Sequence, residues 1–145
     1  MQHVLAAIDF SPLSERVVAL AAELAQGSGA WVTLLHVAAP DPDFVGYETG
    51  PQHVRDRRAQ VLRHEHGELE VMAARLRQLG LRTRALLVAG PTVETVLAQA
   101  RERHVDHIVV GAHRHSRAAQ VLLGSVSKGI VRHAECPVTV VVPDD

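Results

Sequence analysis

Five short runs of branched and aliphatic residues, each separated from the next by a stretch with helical spacing, constrain this chain more than any other feature. The runs occupy residues 4–8, 31–37, 82–88, 108–110 and 138–142. The first is apolar without interruption up to Asp9, as a strand covered on both faces is. Val17, Leu20, Ala21, Leu24 and Ala25 then recur at helical intervals. Ser11 before Pro12 reads as the N-cap of that helix followed by proline at its first position, and Gly27 and Gly29 end it. A longer helix is predicted over residues 53–79, with Val54, Val61, Leu62, Leu69, Met72, Leu76 and Leu79 as its apolar stripe and Gly80 as its stop. Gly90-Pro91-Thr92 reads as a turn with Thr92 as N-cap, leading to a helix marked by Val93, Val96, Leu97 and Ala100. A further helix is predicted over residues 125–133. Strands alternating with helices imply an α/β fold: a parallel sheet with helices on both faces. The third run alternates Arg82 and Arg84 with Thr83 and Ala85, which suits an edge strand.

A chain of 145 residues predicts one domain, over residues 1–145, long enough to bury a proper core. The 47% hydrophobic content excludes disorder, and with aromatics at 3% the core must be built from Val, Leu, Ile and Ala. A net charge of -1 gives no pull toward nucleic acid or an anionic membrane, and no run is long enough to span a bilayer. Cys136 is the one cysteine, so an internal disulfide is excluded. A cytoplasmic soluble protein is expected. The turn-rich segment at residues 38–52 has the length of a lid or binding loop.

The stretch 108–142 carries most of the chemistry. Its first strand ends in Gly111, a basic loop containing His113 and Arg114 follows, and Gly124-Ser125 opens a helix. Glycine lets backbone approach a ligand closely, and the N–H groups of a helix start point at an anion. A phosphate-bearing ligand is the natural occupant of such a cradle. In open parallel sheets ligands bind beyond the strand carboxyl ends, where Asp9, Val37 and Gly111 all fall.

Together these segments resemble the universal stress protein family over nearly the whole chain. The resemblance rests on AAIDFSPLSERVVALAAELA, LLHV, VAGPTVETVLAQA and DHIVVGAHRHSRAAQVLLGSVSKGIVRHAECPVTVVV. The family's nucleotide-binding branch carries Gly, two residues, Gly, nine residues, then Gly-Ser/Thr. Gly111, Ala112-His113 and the nine residues before Gly124-Ser125 match, while Arg114 replaces the middle glycine. The resemblance implies a doubly wound, Rossmann-like five-stranded sheet in the order 3-2-1-4-5. It places Asp9 by the ribose and phosphates and the Val37 backbone against adenine. Gly111, Gly124, Ser125, Val126 and Ser127 would hold phosphates and ribose, with His113 and Arg114 in the same loop. The implied ligand is ATP or a related adenine nucleotide, with or without Mg²⁺. A homodimer through the last strand, with Val138 and Val142 at its ends, is also implied, and so is a stress-response role through an unknown protein partner.

Arg114 opens a second reading. At a left-handed position it costs about 1 kcal/mol; its side chain either fills the pocket or forks onto phosphate. If it fills the pocket, the protein is a nucleotide-independent homodimeric interaction module. A slow ATPase is the third reading, with Asp9 as the only candidate acid. No GxxxxGK[ST], GxGxxG or GxSxG motif follows a strand. His64 and His66, two apart on a helix, diverge and read as solvated rather than metal-binding. Cys136 reads as a small core residue.

Overall fold

β1 (His3–Ala7), α1 (Ser14–Ala25), β2 (Trp31–Ala38), α2 (Gln52–Gln78), β3 (Arg82–Ala89), α3 (Thr92–Glu102), β4 (His107–Gly111), α4 (Ser125–His133) and β5 (Val138–Val141) follow one another along the chain. They are seen in a computed structural model that describes residues 1–38, 52–112 and 123–144. Most of the turn-rich segment after β2 and the basic loop with His113 and Arg114 lie outside the described residues.

The strands form one parallel sheet in the order β3-β2-β1-β4-β5. The chain winds outward from β1 in one direction to β3, then returns to build β4 and β5 on the other side. Strand alternation splits the apolar residues between two cores. Val4, Ala6, Val32, Leu34 and Val109 face α1 and α2, packing with Val17, Ala21, Leu69 and Ala73. Leu5, Leu35, Ile108 and Val110 face α3 and α4, packing with Val96, Ala100 and Ile130. Each fully buried Leu, Ile or Val contributes about 1.5–3 kcal/mol of transfer free energy. As its alternation predicts, β3 is an edge strand: Thr83 is buried while Arg82 and Arg84 are exposed. The Arg84 guanidinium lies 4.6 Å from the centroid of the half-exposed Trp31 ring.

Both predicted N-caps are corrected. α1 begins at Ser14, not after Ser11, and its cap residue Leu13 makes no side-chain cap bond. Asp9 shapes the turn before the helix without capping it. Its Oδ1 accepts the Ser11 N–H at 2.9 Å and the Ser14 hydroxyl at 3.2 Å, an Asx turn that holds Ser11 outside the helix. Thr92 is likewise the first residue of α3 rather than its cap, because Pro91 occupies the cap position with an extended backbone and supplies the carbonyl for Thr95 N–H. The long apolar stripe of α2 is also only partly used. Leu69, Ala73 and Leu76 are buried, whereas Val61 and Leu79 are exposed.

α3 and α4 meet at a glycine. A Cβ added at Gly129 would lie 2.9 and 3.0 Å from the two γ-carbons of Val93, whose branched side chain has little rotameric freedom. Gly129→Ala should therefore lower stability by about 1 kcal/mol. Overpacking costs about 1–3 kcal/mol and outweighs the gain of roughly 1 kcal/mol in helix propensity. A urea midpoint equal to or above that of the native protein would show that α3 can shift to make room.

At the amino end of the sheet, His3 is buried between strands. Its Nδ1–H donates to the Arg103 carbonyl at 3.1 Å, because a carbonyl only accepts, so Nε2 accepts from the Thr33 hydroxyl at 2.7 Å. His107 Nε2 lies 2.7 Å from the Thr139 hydroxyl and joins β4 to β5. Burial lowers the pKa of both rings, and for His3 the nearby Arg84 and Arg103 charges add to the effect. The unfolded chain thus binds protons more readily than the folded one. Stability should be complete above about pH 6.5, the ordinary histidine value, and decline as pH falls below it. Urea midpoints at pH 7.5 and 5.5 test this, and His3→Gln should shrink the difference.

Candidate functional site

The strand order reverses between β1 and β4, and their carboxyl ends diverge into a cavity of about 550 Å³. That volume lies within the usual range for a small-molecule site, about 300–1,000 Å³. Asp9, Val37, Gly111, Gly124, Ser125, Val126 and Ser127 all line it. Three neighbouring strands and the start of α4 therefore converge, although these residues are far apart in sequence. His113 and Arg114 lie outside the described residues.

Each wall has its own cause. β1 ends before Asp9, whose Oδ1 is turned toward Ser11 and Ser14 by the Asx turn. Val37 sits next to last in β2, and its side chain packs on the α3/α4 core. Val37 is only partly buried and lines the cavity. Gly111 ends β4 close against α1: a Cβ there would lie 2.9 Å from Leu13 Cδ2. The need for glycine is thus partly one of packing. Gly124 precedes α4 with φ -67° and ψ 170°, ordinary extended backbone, and accepts the first helical bond from Lys128 N–H at 3.0 Å. The N–H groups of Ser125, Val126 and Ser127 have no partner within the helix by geometry, and these three residues line the cavity. Ser127 is 1% exposed, and its hydroxyl donates to the Gly111 carbonyl at 3.0 Å. It ties the helix start to the strand end, a role the motif alone does not reveal.

Sequence reasoning passed over His36, which also lines the cavity. The signal was a polar residue inside LLHV, at the carboxyl end of an otherwise apolar strand. Its ring is 4.6 Å from that of Phe10, tilted by 50°. Ser11 and Thr92, which the sequence offers as N-caps, line the cavity as well, and so does Ser14. Asp9 is the only carboxylate among the described lining residues, and no lysine or arginine is among them. The cavity can thus offer a carboxylate to hydroxyls, a helix start to an anion and an apolar strand-end surface to a flat ring.

Elsewhere, His64 pairs with Glu68 at 2.9 Å on the exposed face of α2, and no cluster of three or more metal-ligating side chains occurs among the described residues. Cys136 is half-buried, with its pKa raised chiefly by burial and further by the Asp106 and Glu135 carboxylates. No helix among the described residues is long and apolar enough to cross a membrane.

The same fold recurs in known proteins. The chain is 31% identical over 140 residues to a universal stress protein of Thermus aquaticus, covering 95% of this chain and 96% of that one. The fold superposes on the solved structure of the hypothetical protein MJ0577 with a TM-score of 0.81 at 22% identity, covering 99% and 97% of the two chains. It superposes on a universal stress protein in complex with cAMP with a TM-score of 0.67 at 25% identity, covering 97% of this chain and 96% of that one. The sequence model of the universal stress protein family matches residues 1–142, and this chain belongs to that family.

Proposed function

We propose that this chain binds ATP or a related adenine nucleotide in the cavity between β1 and β4, and acts in stress response through an interaction that depends on the ligand. The observation that carries the reading is the convergence of Asp9, Val37 and the start of α4 on one cavity. Asp9 takes the ribose hydroxyls, the Val37 backbone takes the adenine edge, and the N–H groups from Ser125 to Ser127 take phosphate. The cAMP complex of a relative with the same fold supports an adenine nucleotide. With Asp9 the only carboxylate among the described lining residues, Mg²⁺ would be held mostly by the phosphates and water. Residues 1–145 act as one cytoplasmic domain, paired with a second copy along β5.

The test is calorimetric titration with ATP and Mg²⁺ after carried-over nucleotide has been removed. Dissociation constants at or below ~100 μM, about 5.5 kcal/mol, support the reading. The absence of heat at several temperatures, with no thermal shift, rejects it. In that event Arg114, which stands where the motif has glycine, favours the nucleotide-independent interaction module. Arg114→Gly should then create binding.

A further inference from the structure

We infer that His36 and Glu65 form a charged latch that holds the turn carrying Asp9 and joins it to α2, so that His36 is a positioning residue for the proposed nucleotide site. The inference rests on the placement of two ring nitrogens. Nδ1 of His36 lies 2.7 Å from the Ile8 carbonyl, and Nε2 lies 2.8 Å from Oε2 of Glu65. Both oxygens are acceptors when Glu65 is ionised, and a neutral imidazole has a single N–H to offer. One ring nitrogen would then set its lone pair against an oxygen. Oε2 of Glu65 is wholly buried and has no directed hydrogen bond, so its short contact with Nε2 is held by charge. A buried carboxylate oxygen left against a lone pair is costly. A ring with both protons sets no lone pair against either oxygen.

The mechanical consequence follows from what the latch holds. The Ile8 carbonyl immediately precedes Asp9. Phe10, two residues on, has φ 61°, a left-handed conformation that costs a bulky side chain on the order of 1 kcal/mol or more. The His36 ring packs against the Phe10 ring. The chain past β1 is thus pinned at a carbonyl and at an aromatic ring, and Asp9 lies between the two. Glu65 delivers the other half of the latch from the middle of α2, two turns before the region where Ala73 and Leu76 are buried. Occupancy of the Asp9 pocket and the setting of α2 are therefore energetically linked, and such a link is reciprocal.

Nitrogen-15 spectra of the ligand-free protein at pH 7 test the latch directly. Both His36 ring nitrogens should show protonated shifts. Glu65→Gln preserves shape, removes the charge and can donate to Nε2; its His36 should become the neutral Nδ1–H tautomer. Hydrogen exchange reads the mechanical part through the Ser14 amide, which the Ser11 carbonyl holds within the Asp9 turn at 3.0 Å. His36→Ala should speed that exchange about tenfold, and His36→Asn, which keeps a donor near the Nδ1 position, should restore much of it. Nucleotide affinity should fall in the same order. A neutral His36 ring in the native protein, or Ser14 exchange unchanged in His36→Ala, would overturn the latch. These ligand-free readouts stand apart from the nucleotide reading. If ATP does not bind, the proposed function falls while the latch is still decided by the ring shifts and the amide.

Discussion

Replacing Gly124 with leucine is expected to weaken ATP binding by at least roughly a hundredfold, ~2.7 kcal/mol, while leaving the fold intact. The two halves of that expectation have separate causes. Gly124 has φ -67° and ψ 170°, a conformation any residue adopts, so leucine brings no backbone strain and α4 can still begin at Ser125. Gly124 also lines the cavity beside the α4 amide groups that the proposal assigns to phosphate. A four-carbon side chain there occupies space a phosphate needs and keeps the ligand from the helix start, where the attraction acts only over the first turn. Calorimetry should show the loss, with a melting temperature within a few degrees of the native protein. Undiminished affinity in a folded Gly124→Leu protein would place the ligand elsewhere.

Leu69→Ala is expected to cost about 2–5 kcal/mol, against typical total stabilities of about 5–15 kcal/mol. Leu69 is fully buried and packs in the core beneath α1 and α2. Truncation both returns apolar surface to the accounting and leaves a cavity that the sheet side, made of fixed strand residues, is poorly able to fill. Val61→Ala in the same helix should change stability by less than about 0.5 kcal/mol, because Val61 is 48% exposed. The two residues belong to one apolar stripe in the sequence, so the contrast isolates what packing adds. Paired urea titrations decide it. Similar losses for the two variants would mean that the first half of α2 is covered by something that buries Val61.

How far the sequence determined this protein is visible in particular elements. Period and composition located all five strands and four helices to within a few residues, because strand and helix periods differ and a buried parallel strand tolerates few polar residues. The exposed arginines on β3 announced the edge, since only an edge strand can keep one row of side chains in water. The order β3-β2-β1-β4-β5 was legible through the family resemblance rather than the residues themselves, because nothing in a strand's own sequence names its neighbour. Helix starts were misread at Ser11 and Thr92. A capping residue is recognised by type, but whether Asp9 or Ser11 closes the turn depends on backbone angles that the chain takes on leaving β1.

The tertiary structure alone decided the rest. α2 shows one continuous stripe, yet buries only Leu69, Ala73 and Leu76, because burial is set by where the sheet lies beneath the helix. Gly111 and Gly129 look alike in sequence as flexible positions. The first accommodates Leu13 and the second Val93, and neither neighbour is near it in the chain. The resemblance places Ser127 at the phosphates and ribose, and the structure adds a bond from its hydroxyl to the Gly111 carbonyl. His36 was a polar letter in an apolar run. Its meaning lies in the Ile8 carbonyl, the Phe10 ring and the Glu65 carboxylate, three groups from two other segments. Local periodicity encodes which residues form elements and which face each element buries. Contacts between segments remote in sequence exist only once the sheet has brought those elements together.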